Sequence, residues 1–330
     1  MNSNSEQKGL VMHSTGSWYR VRTQDGEMKK CRIKGRLRNQ GIRTTNPVAV
    51  GDHVRFDNKK DQTGVIKEIL PRRNCIVRKA VKLSHHAHII AANIDCAYLI
   101  VTLAAPPTSL GFIDRYLVTA QAQDIPVCIV FNKIDCYTQT EEQQLKEYQD
   151  IYQSIGYDCV VLSALNRQDI ADFSSRLADK INVLNGHSGV GKSTLINGIA
   201  PNLNLKTAAT SDHHKTGKHT TTFAEMFTLP MGGYIIDTPG IRGFGIVDIP
   251  KAELATHFPE MRTWAPQCRF ANCIHINEPG CAVKEHIYDT SASANDGPPN
   301  TSGVPTTRYQ NYLDMYHTDD EKIHRYGPRT

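Results

Sequence analysis

A phosphate-binding pattern occupies residues 186–193, which read GHSGVGKS and match G-x-x-x-x-G-K-[ST] at every fixed position. Its glycines let backbone N–H groups turn inward and cradle phosphate oxygens. Its lysine brings a positive charge to the β- and γ-phosphates, and its serine hydroxyl is a ligand for Mg²⁺. The predicted phosphate contacts are Gly186, His187, Ser188, Gly189, Val190, Gly191, Lys192, Ser193 and Thr194.

The sequence on either side of this loop is that of a nucleotide-binding domain. Apolar residues before it (Ile181, Val183 and Leu184) indicate a buried strand, and residues 193–197 indicate the start of a helix. The positive end of that helix dipole would then lie at the phosphates. A chance glycine-rich loop lacks these neighbours, so the context favours a strand–loop–helix phosphate site.

Two base-reading motifs follow strand-like runs upstream. N-K-I-D occupies residues 132–135 and S-A-L occupies residues 163–165. The carboxylate of Asp135 can accept hydrogen bonds from guanine N1–H and from the exocyclic amine, whereas adenine offers no such pair. Loss of a polar contact of this kind can discriminate by about 10⁴-fold. The predicted base contacts are Asn132, Lys133, Ile134, Asp135, Ser163 and Ala164.

Contacts to magnesium and to the γ-phosphate are predicted downstream. D-T-P-G at residues 237–240 matches D-x-x-G, in which the N–H of Gly240 meets the γ-phosphate. Residues 215–222 (KTGKHTTT) suit a mobile first switch, and the sequence does not choose between its first two threonines as ligands. The predicted Mg²⁺ ligands are Ser193, Thr220 or Thr221, and Asp237 through water.

The catalytic group is less clearly marked. Many GTPases place a water-orienting glutamine after D-x-x-G, but here that residue is Ile241. The nearest alternative polar group is His219, so Lys192 and His219 are the catalytic candidates; the alternative for His219 is a solvent-facing loop histidine. Without a positioned glutamine or arginine finger, intrinsic turnover on the order of 10⁻⁴ to 10⁻² s⁻¹ is expected.

The order of the motifs is permuted. Strand-like and helix-like runs alternate from residue 97 to residue 184, which predicts an α/β sheet with helices on both faces and ligand loops at the carboxyl ends of the strands. Base-reading motifs precede the phosphate loop, which indicates a circular permutation. The chain would leave this domain after the second switch, residues 241–245, so nucleotide state could act directly on the C-terminal region.

Basic residues are concentrated in the N-terminal third. Residues 1–82 hold 19 Lys and Arg against 7 Asp and Glu, a net charge of +12, whereas the remainder carries −7. Short alternating runs, about five strands in about 70 residues, predict a small β-barrel such as the OB-fold. RNA is the favoured partner, and a solvated charged surface is the alternative. The basic residues expected to form two clusters are Arg32, Lys34, Arg36 and Arg38, then Arg72, Arg73, Arg78 and Lys79, with Trp18 and Tyr19 as stacking candidates.

A metal-ligand pattern lies near the C-terminus, with the spacing C-x₄-C-x-H-x₅-C. The predicted ligands of one structural Zn²⁺ are Cys268, Cys273, His275 and Cys281, because four ligands close a tetrahedral site. A disulfide is the alternative, and a reducing compartment disfavours it. The remaining cysteines are scattered and are expected to be core residues.

Three units are predicted: an OB-fold at 1–82, a circularly permuted GTPase domain at 83–245 and a zinc-binding, α-rich unit at 246–330. Residues 289–307, rich in Ser, Pro, Gly and Asn, are expected to be disordered, with a short helix after them. The N-terminus has no apolar signal-peptide core, and the longest apolar stretch, residues 96–105, is too short for a bilayer. A cytoplasmic protein without membrane contact is expected.

The barrel, the permuted motifs and the metal-ligand spacing together resemble the RsgA (YjeQ) family, circularly permuted GTPases of bacterial small-subunit ribosome assembly. The resemblance covers nearly the whole chain. It implies binding to the small subunit and its rRNA, GTP hydrolysis stimulated by that subunit, and a role in late maturation. The chain departs from the family at His187, where glutamine is common, and in an insertion after Cys281.

The expected ligands are GTP or GDP, Mg²⁺ and one Zn²⁺, and a monomer is expected off the ribosome. Two other classes of function remain open at this point. One is a GTP-gated RNA-binding module whose hydrolysis is incidental. The other is a small-molecule kinase built on the phosphate loop, against which the N-K-I-D motif argues.

Overall fold

The computed structural model describes residues 6–35, 47–59, 63–79, 87–204, 224–237, 249–289 and 303–318. Its first element is a closed barrel of β1 Glu6–Ser14, β2 Tyr19–Thr23, β3 Met28–Ile33, β4 His53–Asn58 and β5 Gly64–Ile69. The strands pair in the order β1-β2-β3-β5-β4, and β4 returns to β1. Buried and exposed side chains alternate along its strands, as a closed barrel requires: Tyr19 and Val21 are fully buried in the barrel core, whereas Arg20 between them is exposed. The predicted five-stranded barrel is confirmed.

The predicted cationic strand is shorter than expected. Strand β3 ends at Ile33, so Lys34 lies beyond it, and Arg36 and Arg38 fall outside the described residues. The alternation of buried Cys31 with exposed Arg32 holds only up to that point. The prediction that Lys34 lies on the strand face is therefore wrong, because β3 ends before it, and the prediction for Arg36 and Arg38 stays a prediction.

A hairpin of β6 Cys75–Lys79 and β7 Ala87–Ala92 leads into the central domain. The strands of its sheet are β8 Cys96–Val101, β9 Val127–Asn132, β10 Asp158–Leu162, β11 Ile181–Asn185, β12 Glu225–Thr228 and β13 Tyr234–Asp237. Its helices are α1 Leu110–Gln121, α2 Gln139–Ser154, α3 Arg167–Leu177 and α4 Lys192–Ile199. Side-chain caps start the first three helices, at Ser109, Thr138 and Asn166.

The sheet is ordered β10-β9-β8-β11-β13-β12, parallel except for β12. Helices α1 and α2 pack on one face through Leu117 and Tyr152, and α3 and α4 pack on the other through Phe173 and Leu195. The predicted doubly covered α/β sheet is confirmed. Because its strands are parallel, the loops after β8, β9, β10 and β11 gather at one edge.

The barrel continues the central sheet. Strand β1 pairs with β12 through His13 and Glu225, so the described strands of the barrel and the nucleotide domain form one hydrogen-bonded assembly. Arg20 of β2 reaches Glu225 at 3.4 Å. Arg22 donates hydrogen bonds to Thr228 and to the Tyr234 hydroxyl. The barrel therefore rests on the strand pair β12–β13.

The C-terminal unit is built from short elements. They are α5 Pro259–Trp264, α6 Ala282–Glu285, β14 Ile287–Tyr288, β15 Val304–Pro305 and α7 Thr306–His317, with 3₁₀ turns at Leu254–His257 and Ala265–Gln267. Strand β15 pairs with β14, and Val304 is fully buried. The expectation of disorder is therefore wrong for residues 303–307; residues 290–302 lie outside the described part of the chain. Within the described ranges, no helix is both long enough and apolar enough to traverse a bilayer.

A buried ionic cluster joins this unit to the nucleotide domain. Arg308 of α7 donates to Glu260 of α5 at 2.7 Å and to Asp114 of α1 at 2.8 Å. Asp114 also accepts hydrogen bonds from Tyr152 at 2.8 Å and from Asn311 at 2.6 Å. These hydrogen bonds join elements that are distant in sequence and fix α7 against α1.

Candidate functional site

One buried side chain connects the base-reading loops to the phosphate loop. The amide of Asn132, at the end of β9, donates to the Val190 carbonyl at 2.7 Å and accepts from the Ala164 N–H at 3.0 Å. Asn132 is fully buried, so both hydrogen bonds form away from water. The N-K-I-D, S-A-L and GHSGVGKS motifs therefore converge on one site, as the sequence predicted from three separate strand ends.

Two glycines of the phosphate loop are required by its backbone path. Gly186 has φ 145°, and a Cβ there would lie 2.2 Å from the Ile100 carbonyl oxygen. Gly191 has φ 94°, and a Cβ there would lie 2.4 Å from the Asn132 amide nitrogen. Helix α4 starts at the next residue, so its unpaired N–H groups face the loop.

The ammonium group of Lys192 lies inside the loop. It donates to the carbonyl oxygens of Gly186, at 2.7 Å, and His187, at 2.5 Å. Ser193 and Thr194 follow in the first turn of α4, both half-buried. An ammonium group held by two backbone carbonyls of the loop, at the N-terminus of α4, is positioned to bind phosphate oxygens.

The carboxylate of Asp135, the predicted base-reading group, is exposed. A hydrogen bond from Ser163 lowers the pKa of Asp135, and the Cys136 thiol, which donates to its Oδ2 at 3.2 Å, lowers it further. Ser163 is itself fixed, because its N–H donates to Asp169 at 2.7 Å. The carboxylate can therefore accept the two N–H groups of guanine without first losing a proton. Ile134 begins the 3₁₀ turn that carries Asp135.

Several predicted residues cannot be placed. His219, Thr220, Thr221 and Gly240 lie outside the described residues. The backbone of Asp237 is described: it ends β13 and pairs with Glu225 of β12. In sequence, the predicted first switch precedes β12 and the predicted second switch follows β13; both switches lie outside the described residues.

Two aromatic residues that the sequence analysis missed contact the predicted site. The Phe112 ring lies 3.8 Å, centroid to centroid, from the ring of His187 in the phosphate loop. The Tyr137 hydroxyl accepts from the Leu103 N–H and donates to the Asn132 carbonyl. Neither residue belongs to a motif, although Tyr137 follows N-K-I-D by two positions, so only the structure reveals these contacts.

The basic barrel surface divides into two parts. On the outer face of the β2–β3 hairpin, Arg32 and Lys30 lie over the Trp18 ring, 3.8 and 4.3 Å from its centroid. Arg20 and Arg22, on the same face, are engaged with the β12–β13 pair. The cations available to an external polyanion in this hairpin are therefore those around Trp18.

The second predicted basic cluster is largely structural. Arg72 donates to both oxygens of the fully buried Asp52, at 2.6 and 2.7 Å. Arg73 reaches Asp95 at 2.6 Å. The side chains of Arg78 and Lys79 lie outside the described set. The expectation of a polyanion-binding cluster is therefore wrong for Arg72, whose charge is neutralised inside the protein.

The four predicted zinc ligands come together. Their ligand atoms all lie within 4.8 Å of one another. His275 Nδ1 is 3.6 Å from the sulfur of Cys268 and 3.4 Å from that of Cys281, and these two sulfurs are 4.0 Å apart. Tetrahedral zinc, with Zn–S of about 2.3 Å and Zn–N of about 2.0 Å, requires S–S of about 3.8 Å and S–N of about 3.6 Å. The donor set therefore fits zinc, whereas the sulfur separation does not fit a disulfide.

Neighbouring groups hold the ligand loop in place. The Glu278 carboxylate accepts from the N–H groups of Ile274, at 2.7 Å, and Ile276, at 2.9 Å, on either side of His275. The Tyr309 hydroxyl of α7 donates to the His275 carbonyl at 2.7 Å. The loop is thus fixed to the same helix that docks on the nucleotide domain.

Together, the sheet order, the phosphate loop and the Asn132 contacts define a P-loop GTPase domain with its base-reading motifs ahead of its phosphate loop. A barrel precedes this domain and a Cys₃His centre follows it. The RsgA GTPase family model matches residues 69–247, and the RsgA N-terminal domain model matches residues 8–66. The chain belongs to the RsgA GTPase family, whose enzymes are hydrolases acting on GTP.

Relatives and solved structures agree with this assignment. The chain is 46% identical over 317 residues to the small ribosomal subunit biogenesis GTPase RsgA of Christiangramia forsetii, covering 95% of this chain and 97% of that protein. It is 48% identical over 318 residues to the protein of the same name from Flavobacterium psychrophilum, covering 95% and 93%.

Among solved structures, YjeQ from Thermotoga maritima aligns with a TM-score of 0.75 at 30% identity, covering 95% of this chain and 98% of that one. YloQ, a circularly permuted GTPase, aligns with a TM-score of 0.72 at 28% identity, covering 100% and 99%.

Proposed function

We propose that this GTPase binds the small ribosomal subunit and its rRNA and acts in late maturation of that subunit. The observation that carries the proposal is the double hydrogen bond of Asn132, which unites guanine-reading and phosphate-binding loops in one site beside a basic barrel. The names of the relatives, small ribosomal subunit biogenesis GTPases, support the partner. A cytoplasmic location and a monomeric state off the ribosome belong to the same proposal.

The proposed division of labour follows the predicted units: RNA binding by residues 1–82, nucleotide binding by residues 83–245 and a zinc-stabilised scaffold at residues 246–330. Lys30 and Arg32 are exposed beside the half-buried Trp18 ring. This group supports the first assignment, because cations next to an aromatic ring can neutralise the phosphate of a base that stacks there. Strong salt dependence of RNA binding is expected from counterion release. Binding that does not respond to added KCl would contradict it.

In the proposed nucleotide complex, Lys192 exchanges its two loop carbonyls for phosphate oxygens, and Asp135 accepts from guanine. Ser193 supplies a hydroxyl to Mg²⁺, with Asp237 and one of Thr220 and Thr221 completing the protein contacts. Bound Mg²⁺ neutralises charge on the β- and γ-phosphates. Because Ile241 cannot orient water, intrinsic hydrolysis is slow, and we propose that the ribosomal subunit supplies the missing order, with His219 as the candidate polar group.

Zinc is proposed as the resident ion of the Cys₃His centre. The 3.4–4.0 Å spacing of its donor atoms supports this. Four protein ligands leave no open position, so the ion would have a structural role.

The decisive experiment measures GTP hydrolysis by the purified chain with and without purified small subunits. Stimulation of at least tenfold is expected, together with its loss in Lys192→Ala. An unchanged rate would refute the proposed partner.

The alternative function, a GTP-gated RNA-binding module, is tested in cells depleted of the wild-type protein. If His219→Ala abolishes hydrolysis but still supports growth, whereas Lys192→Ala does not, the RNA-binding module is the better description.

Base specificity is tested with Asp135→Asn. Xanthine carries a carbonyl where guanine carries its exocyclic amine, so an amide that donates there should recognise xanthosine nucleotides and lose those of guanosine. A variant that keeps its preference for guanine would show that Asp135 does not read the base. Equal binding of ATP and GTP by the wild-type protein would favour the kinase alternative.

A further inference from the structure

The loop after β8 and the first turn of α1 lie beside the phosphate loop. We define this stretch, residues 102–112, as the β8–α1 segment. It approaches the loop at two points: Pro106 Cδ would lie 3.3 Å from a Cβ built on Gly189, and the Phe112 ring lies against His187 with centroids 3.8 Å apart. Asn132 donates to the next loop carbonyl, that of Val190, at 2.7 Å. The phosphate loop is thus contacted by both the segment and the base-reading motif.

The segment is tied to the base-reading motif as well. The Tyr137 hydroxyl accepts from the Leu103 N–H at 3.0 Å and donates to the Asn132 carbonyl at 2.9 Å. The Lys133 ammonium donates to the Ala105 carbonyl at 2.7 Å. A displacement of the segment would therefore disturb the base-reading and phosphate-binding loops together.

Such support matters because the loop contains three glycines, whose backbone has unusual freedom. Ordering it only when nucleotide binds would cost affinity, whereas a loop held in its bound shape avoids that loss. His187 suits this contact: burial and the neighbouring Lys192 lower its pKa, so its ring stays neutral beside the ammonium group.

We propose that the β8–α1 segment is the positioning element of the phosphate-binding loop, with Phe112 and Tyr137 as its positioning residues. Neither touches the reacting atoms; Phe112 acts through His187, and Tyr137 acts through Leu103 and Asn132. The inference rests on the proposed nucleotide site and assigns to it two residues that lie outside the GTPase motifs.

The test uses the full chain and a fluorescent N-methylanthraniloyl derivative of GDP or GTP. Phe112→Ala should raise the dissociation constants for both nucleotides by about two- to tenfold, the loss expected from one aromatic pair. The two should rise together, because both carry the phosphates that the loop binds. The preference for guanine over adenine should not change. Phe112→Tyr keeps the ring and should restore binding.

Tyr137→Phe provides a second measurement that does not depend on the first variant folding. Removing the hydroxyl leaves the Leu103 N–H and the Asn132 carbonyl without their shared partner, so nucleotide dissociation should accelerate about two- to tenfold. Tyr148→Phe is its matched control: that hydroxyl lies on α2 and bonds Gln144, away from the loop.

Leu117→Ala tests whether Phe112 acts only by stabilising the fold, because Leu117 is a buried residue on the same helix. It should lower the unfolding temperature while leaving nucleotide binding of the folded protein unchanged. The inference would be overturned if Phe112→Ala and Tyr137→Phe both bound nucleotide as tightly as the wild-type protein. It would also be overturned if Leu117→Ala lost as much nucleotide affinity as they do. Absence of binding by the wild-type protein would instead refute the proposed nucleotide site.

Discussion

The strongest single perturbation that the structure predicts is Arg308→Met. Arg308 has only 1% of its side chain exposed and bonds Glu260 and Asp114, which are exposed by 2% and 1%. Burial opposes its charge, but the two carboxylates together raise its pKa well above the ordinary value for arginine. Methionine has a similar stem and no charge, so the change removes the cation while nearly filling its space.

The expected loss of stability depends on which carboxylates Arg308→Met leaves without a hydrogen-bond donor. Without Arg308, Glu260 loses both hydrogen bonds that the structure gives its carboxylate, whereas Asp114 keeps Tyr152 and Asn311 as donors. Removing one partner of a buried ion pair costs about 3–5 kcal/mol, because a charge stays buried without compensation. The same change at the exposed Arg262 of α5 should cost less than about 0.5 kcal/mol, which makes Arg262→Met the matched control.

Two tryptophans make the measurement selective. Trp264 ends α5 in the C-terminal unit, and Trp18 lies in the barrel. In a Trp18→Phe background, fluorescence during urea unfolding therefore reports the C-terminal unit alone. With m of about 1–3 kcal/mol/M, a loss of about 3–5 kcal/mol should lower the transition midpoint by more than about 1 M.

A triple variant separates charge from packing. Arg308→Met combined with Asp114→Asn and Glu260→Gln leaves no charge unpaired, so it should be more stable than Arg308→Met alone. A loss below about 1 kcal/mol in the single variant would refute the reasoning. So would a triple variant whose destabilisation is the sum of its three parts, because the cluster would then not act as a unit.

Three further predictions concern the phosphate loop, the Cys₃His centre and the pair formed by Asp135 and Cys136. Gly191→Ala places a Cβ 2.4 Å from the Asn132 amide at φ 94°, so nucleotide binding should fall at least tenfold while circular dichroism stays unchanged; normal affinity would contradict the loop geometry. Cys281→Ser should remove the zinc, about one ion per chain by elemental analysis, and lower the unfolding temperature; full zinc content would exclude this ligand. The hydrogen bond to Asp135 raises the pKa of the Cys136 thiol, so Asp135→Asn should speed its labelling by maleimide at pH 8, as read by mass spectrometry; an unchanged rate would show that the carboxylate does not control the thiol.

Fixed local spacing made much of the site predictable. A phosphate loop, N-K-x-D and a Cys₃His pattern each constrain a short backbone path, so residues such as Gly191 and His275 could be assigned without coordinates. Their convergence was also predictable, because parallel strands end at one edge of a sheet.

Contacts between distant residues could not be predicted in this way. Arg308 and Asp114 are 194 positions apart, and no local pattern distinguishes a buried paired arginine from a solvated one. The same ambiguity misassigned Arg72 to a basic surface. The prediction of disorder from composition was also wrong for residues 303–307, because the buried side chains of Val304 and Pro305 and a two-residue strand pairing order this segment.

The two junctions of the nucleotide domain differ in kind. At the C-terminal junction, the Arg308 cluster is buried, and removing one of its charges costs several kcal/mol. At the barrel, Leu10, Met12 and Val50 are buried in the same apolar cluster as Ile236 of β13, and the exposed Arg20–Glu225 pair adds only about 0–1 kcal/mol. Strands β12 and β13 lie between the two predicted switches in sequence, and β1 pairs directly with β12. We therefore expect a nucleotide-dependent change at the switches to reach β1 through this pairing: hydrogen exchange in β1 should differ between GDP- and GTP-analogue-bound protein, and identical exchange would contradict it.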